Sequence, residues 1–521
     1  MDEATNSIEE EQSITVISRS NALDFPGMQT LELRPYRTVH PELEERYERL
    51  RIPTEPAPPI RPVPHRFLPR VNKRKLALML FREFWRFFFS NPILDKRINL
   101  ASRWRALFDR PCKYGAFSGR LGGFKPIPGK CAGCMRCLIE HPGIIEDIII
   151  NEEFKNLQSI GWRAEEVETV LREAATGKEK VGGTGYGGPF AGRGWDSIWL
   201  DMSEIVRPTR DGKEGREYIA TASEIGSKEA RLSGDRLNVL TIQLPIIFDC
   251  LAEHETNETL QLSIAEAARG CGILSIVPLS FYRPLRKRYY DYLGLKIHEN
   301  EIEQFEALFD ELRPRVIELE STRPEAFESM KEVARSSILI ARLRADKDVE
   351  GAVREISKSG VDGFHIFADD RGYEFASNSE NPRHMKDIIR DINHSLVREG
   401  VRSEVTLLGS GGIYLAEHVP KAIGCGLDMV AINTTIHVAL QSEFRGPGNQ
   451  ARISPTVRDF KWGARRLRNV MAAWHAQLVE ALSAMGKRDV RRLTGDEGRL
   501  IFYEDMRREA FCDIEKVVCS V

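Results

Sequence analysis

Residues 404–436 read EVTLLGSGGIYLAEHVPKAIGCGLDMVAINTTI. The order is an apolar strand, a Gly-Ser-Gly-Gly turn, a helical stretch, a Gly-Cys-Gly turn, a second apolar strand and then Asn-Thr-Thr. In a parallel barrel the loops after the seventh and eighth strands, with a short helix N-terminus, present backbone N–H groups to a phosphate, and glycine lets the anion come close. Gly409, Ser410, Gly411 and Gly412 form one half of such a cradle, and Ile432, Asn433 and Thr434 the other. A plain βαβ unit also needs glycine at these turns, but two such signals at this spacing favour phosphate.

Working back from this unit, short apolar runs recur between helical segments. They are 239–248 (VLTIQLPIIF), 272–277, 294–299, 315–320, 337–343, 363–368, 404–409 and 428–433. Eight β-then-α units predict an α/β chain with a (β/α)8 TIM barrel rather than an open sheet. Domain boundaries are expected at 1–70 (a disordered proline-rich arm), 71–180 (a helical segment with a cysteine motif), 181–236 (a glycine-rich lead-in), 237–445 (the barrel) and 446–521 (a helical tail).

Alternation along the strands places the charges. In 337–344, Leu339, Ala341 and Leu343 share one face, which turns Arg342 and Arg344 inward near the strand's C-terminal end. The same parity turns Glu318 and Glu320 inward on the preceding strand, and His365, Phe367 and Asp369 inward on the next. Asp370, Arg371 and Gly372 then open a loop. Buried charges must be paired, so opposed carboxylates and guanidinium groups form either a structural ion-pair layer or a site where Arg342 or Arg344 meets negative charge while Asp370 or His365 moves protons.

The chain has 521 residues and a formal charge of -2, with 75 basic against 77 acidic residues. No global field is available to hold nucleic acid. The acidic start, MDEATNSIEEEQ, is unlike a secretory signal, and a cytoplasmic protein with a small-molecule substrate is expected. The basic, aromatic segment 72–90 predicts a helix that docks on the protein itself, on a partner or on a membrane surface. Gly183–Gly188 formally match GxGxxG, but with no strand before them they predict a loop.

Three of nine cysteines crowd together as Cys131, Cys134 and Cys137, with His141 following. CxxCxxC is ferredoxin-like spacing, here with histidine where a fourth cysteine would stand. Three thiolates and an imidazole suit [4Fe-4S]; three thiolates alone suit [3Fe-4S]. Cys112 is another possible fourth ligand, and zinc is the rival metal.

Segments 182–226 (GGTGYGGPFAGRGWDSIWLDMSEIVRPTRDGKEGREYIATASEIG), 265–277, 359–372 and the 404–436 unit, closing with 463–496, resemble in their order the FMN-binding domain of glutamate synthases, in particular forms lacking the glutaminase domain. The resemblance implies FMN, with its phosphate at Gly411, Gly412, Asn433 and Thr434. It also implies flavin-mediated electron transfer, in that family to an imine of 2-oxoglutarate. The family's flavin-contacting lysine falls on Arg342. Its HDGG loop falls on Asp369–Gly372 and keeps only Asp370 and Gly372, while its cysteine trio beyond strand eight has no counterpart. An FMN-dependent oxidoreductase fed by an iron–sulfur cluster is expected, with an electron-donor protein or amidotransferase-type subunit as partner; the rival expectation is a catalytically silent barrel subunit of a larger complex.

Overall fold

A computed structural model describes residues 50, 52–78, 81, 112, 114–117, 126–140, 145–157, 162–178, 192–202, 219–226, 239–375, 381–445 and 452–509. His141, the glycine-rich residues 179–191, most of the 1–70 arm, most of the 72–90 segment, Cys512 and Cys519 lie outside these. The chain divides into two compact units, one of residues 59–168 and one of residues 1–58 with 169–521.

The larger unit holds a closed barrel of eight parallel strands: β1 (Ile246–Phe248), β2 (Ser275–Pro278), β3 (Leu293–His298), β4 (Val316–Glu320), β5 (Ile338–Arg344), β6 (Gly363–Phe367), β7 (Thr406–Ser410) and β8 (Met429–Ile432). Each strand is followed by a helix: α1 (Glu258–Cys271), α2 (Leu279–Tyr289), α3 (Ile302–Leu312), α4 (Pro324–Val333), α5 (Val349–Ile356), α6 (Met385–Arg398), α7 (His418–Gly424) and α8 (Thr434–Ala439). The expected TIM barrel is therefore present, and each of the eight apolar runs overlaps a barrel strand.

One run needs correction. Residues 239–248 are expected as one strand, but only Ile246–Phe248 enters the barrel. Val239–Ile242 pairs antiparallel with Ser223–Gly226 instead. Pro245 lies between the two pieces, has no N–H to give a ladder and disfavours a regular continuation. The hairpin lies across the N-terminal end of the barrel, where Ile225, Leu240 and Ile242 share one buried cluster with Ile276, Val316, Ile338, Ile340, Leu408 and Met429. Thr406 Oγ1 pins it, accepting from the Gly226 amide at 3.1 Å. With this end sealed by apolar side chains, polar chemistry is confined to the opposite mouth.

The long C-terminal helix α9 (Phe460–Ala484) is capped by Asp459 and packs on α1. Its buried Arg466 donates to the carbonyl oxygens of Ala57 and Ala439, and Asn469 donates to that of Glu55. Residues 55–58 of the proline-rich arm thus lie along α9. The segment after it is less helical than expected: Leu500–Phe502 pairs as a strand with Ile198–Leu200. Among the described residues no helix is long and apolar enough to cross a membrane.

In the smaller unit Phe67–Val71 pairs antiparallel with Ile145–Ile150. This ribbon carries an apolar cluster of Leu76, Ala116, Phe117, Cys137, Ile145 and Ile148, against which Cys112 and Cys131 pack.

Candidate active site at the barrel mouth

Register brings the expected inward charges together. Arg342 lies beside Glu320 on β4 and His365 on β6. Its Nη1 donates to Asp249 Oδ1 at 2.7 Å and to Glu318 Oε2 at 2.9 Å, and its Nη2 donates to Asp249 Oδ2 at 3.1 Å. His365 Nδ1 is 2.9 Å from Glu318 Oε1, and its Nε2 is 3.0 Å from Ser410 Oγ. Ser410 in turn bonds to Asp249. His365 thus links Glu318 to Ser410 across the barrel interior, and Arg342 Nη1 lies 3.1 Å from the same Nδ1. Buried carboxylates at Asp249 and Glu318 are thus each paired with the Arg342 guanidinium, as a fully buried layer requires.

The carboxylates respond accordingly. Burial works to raise Asp249, but the charges of Arg342 and His365 outweigh it and hold the group far below the usual range. Burial likewise opposes ionised Glu318, and His365 and then Arg342 overcome it. Burial disfavours the Arg342 charge, yet Asp249 and Glu318 hold the guanidinium firmly protonated. Asp249, Glu318 and His365 place ligand atoms within 4.8 Å of one another, but the guanidinium already fills the cation's place among them.

Arg342 is therefore neutralised from within the barrel. Among the described residues its Nε–H has no hydrogen-bond acceptor, and Glu320 Oε2 lies 3.9 Å from it. What Arg342 offers a bound group is this one directed donor. Arg344 is exposed at the rim, its guanidinium 4.1 Å from the centre of the Phe375 ring, and does not join the layer. Asp249, which no sequence motif marks, completes the layer. Its signal was an acidic residue placed directly after an apolar strand.

The two halves of the cradle meet at the same mouth. Ser410 registers with Ala431, and Thr435 Oγ1 donates to the Ile413 carbonyl at 2.8 Å. Gly411 and Gly412 have φ of 118° and 68°. A Cβ on Gly412 would lie 2.7 Å from the Arg371 carbonyl oxygen, so the loop after β6 rests directly on this turn. Asn433 caps α8 by accepting from the Thr434 amide at 2.6 Å. Thr434 Oγ1 donates to Asp370 Oδ1 at 2.5 Å. Burial raises the Asp370 carboxyl, and its bond to Thr434 offsets this only in part. A second missed residue, His418, is buried with Nδ1 3.2 Å from the Gly412 carbonyl and Nε2 3.2 Å from Asp196, which braces the turn from behind.

Backbone of the β6 loop fills the space beside Gly411 and Gly412, and Arg342 Nε–H leaves a donor that suits a ring carbonyl such as that of FMN. Asp370 sets a carboxylate against Thr434 at this turn.

In the smaller unit Cys131, Cys134 and Cys137 gather as the motif predicts, and Cys112 joins them. Burial raises the Cys131 thiol, and neighbouring Cys112 and Cys134 add to the effect. Cys137 is raised by burial and then by Cys131, Cys134 and Cys112. Among the described residues no three of these sulfurs lie within 4.8 Å of one another. Tetrahedral zinc, with Zn–S of about 2.3 Å, needs its sulfurs about 3.8 Å apart.

No family model matches the chain. It is 33% identical over 127 residues to the archaeal glutamate synthase [NADPH] of Methanocaldococcus jannaschii, covering 22% of this chain and 24% of that protein. Longer matches are to the corresponding proteins of Archaeoglobus fulgidus, 23% identical over 81% of this chain and 96% of the relative, and Dehalococcoides mccartyi, 21% identical over 70% and 86%. Among solved structures, a soluble mutant of the (S)-mandelate dehydrogenase from Pseudomonas putida aligns at 10% identity over 59% of this chain and 88% of its own, with a TM-score of 0.42, too distant to bear on function. The order of motifs, the eight-stranded barrel and these long matches agree: along most of its length the chain is similar to the archaeal-type glutamate synthases.

Proposed function

We propose that this chain is an FMN-dependent oxidoreductase of glutamate synthase type, in which electrons from an iron–sulfur cluster reach a small amino-acid-like or 2-oxo-acid-like substrate. The observation that carries the proposal is the buried Arg342 layer, with its unpartnered Nε–H, at the mouth that also holds the glycine turn. When bound, FMN would supply the hydride and single-electron chemistry that amino-acid side chains lack. Gly411, Gly412, Asn433 and Thr434 would hold its phosphate, and Arg342 would donate to a ring oxygen. Asp249 and Glu318 keep that guanidinium in one orientation, and the layer excludes water beneath the site. Asp370, whose carboxyl is raised by burial, is placed to give or take a proton at the rim. The donor would be a separate redox protein, and any ammonia would come from an amidotransferase-type subunit.

Absorbance of the full chain purified without oxygen, before and after dithionite, tests this. A flavin band that bleaches is expected, together with a broad cluster shoulder. A colourless protein that also fails to bind added FMN would overturn it. The Asp370–Thr434 contact favours one alternative, a barrel kept as a non-catalytic subunit of a larger assembly, which that second result would support.

A further inference from the structure

We propose that Cys112, and not His141, completes with Cys131, Cys134 and Cys137 a four-thiolate site for a [4Fe-4S] cluster. This rests on the iron–sulfur half of the function proposed above and is independent of the flavin.

Cys112 lies 19 residues before Cys131, outside the motif, yet both sulfur-bearing residues pack on the same apolar cluster as Cys137. Its own loop is built to hold it. The Ala116 amide donates to Cys112 Sγ at 3.0 Å, and Gly115 N–H donates to the Cys112 carbonyl at 3.2 Å. An N–H directed at sulfur stabilises a thiolate and tunes a cluster's potential. The Gly133 amide serves Cys131 in the same way. On the other side of the site the chain curls through Gly133 (φ 69°) and Met135 (φ 59°), a left-handed backbone on each side of Cys134. Such a strained, bulky Met135 is kept only where something fixes it.

The apolar wall supports the same assignment. Phe117, Ala116 and Ile148 are buried beside the thiols, so a thiolate at buried Cys137 would be costly there unless a metal core shares its charge. Four protein thiolates would leave no iron open to substrate, so such a centre would serve electron transfer.

The test uses the full-length chain reconstituted anaerobically with iron and sulfide, comparing wild type with Cys112→Ser and His141→Ala. Readouts are iron and sulfide per chain, visible absorbance, and electron paramagnetic resonance before and after dithionite. Expected is about four irons in wild type and in His141→Ala, and in Cys112→Ser either a three-iron signal in the oxidised state or loss of the cluster. Far-ultraviolet circular dichroism checks that Cys112→Ser is folded, and Cys112→Ala provides a second variant. An intact four-iron cluster in both Cys112 variants, with loss in His141→Ala, would overturn the ligand assignment alone. Wild-type chain that takes up zinc but no iron would overturn the iron–sulfur half of the proposed function as well.

Discussion

Asp370, on the loop after β6, accepts the hydroxyl proton of Thr434 at the start of α8 at 2.5 Å. It places a carboxylate where the cradle would receive a phosphate, and like charges at that range repel by about 1 kcal/mol or more. Asp370→Asn is therefore expected to bind FMN and inorganic phosphate about tenfold more tightly, read by flavin fluorescence quenching. Because burial raises the Asp370 carboxyl, wild-type affinity is expected to increase as pH falls and Asp370 protonates. The Asn variant should lose that dependence. Weaker binding in the variant would mean that Asp370 is a ligand contact and not a competitor.

Arg342 faces two buried carboxylates, whereas each carboxylate has further partners. Removing it with Arg342→Met is expected to cost about 3–5 kcal/mol, since Asp249 and Glu318 would be left with His365 alone. Asp249→Asn should cost about half of that or less, because Glu318 still faces the guanidinium. Urea unfolding at neutral pH measures both, and a larger loss in Asp249→Asn would contradict the arrangement. The folded carboxylates are depressed, so their stabilisation is complete above pH 5 and declines only as pH falls below about 4.

A different acid sensitivity comes from His437 on α8, which burial lowers to about 4. Its unfolded value is about 6.5, so the unfolded chain takes up a proton first. Stability is full above that value and is lost as pH falls from about 6.5 to 4, by up to roughly 3 kcal/mol. The melting temperature of His437→Asn should be flatter than that of wild type across this window. Parallel curves would show that the imidazole is not held neutral.

Gly412 has a positive φ, and an added Cβ would collide with backbone. Gly412→Ala is expected to lose about 1–3 kcal/mol and to abolish FMN binding. Gly360→Ala, with φ of 72° but open space around it, is the control: a loss of about 1 kcal/mol and unchanged binding. Equal effects of the two on FMN would remove the turn from the site.

The barrel was legible because its signals are local. Apolar runs of strand length, the glycines at 409–412 and the alternation that turns Glu318, Arg342 and His365 inward can all be read within a few residues. The strand 239–248 misled because an apolar run does not say which sheet it joins, and Pro245 decided that.

What the sequence determined by itself was the order of strands and helices, which side chains face the barrel interior, and the grouping of three thiols. Tertiary structure alone decided the partners. Asp249 and Arg342 are 93 residues apart and meet only because the barrel closes. Cys112 reaches Cys131 only through the packing of a separate unit. Asp370 faces Thr434 only because two loops converge at one mouth. Periodicity fixes the direction of a side chain, whereas its charge partner is set by closure of the chain over long separations, and here that partner turns Arg342 from a free cation into a fixed donor.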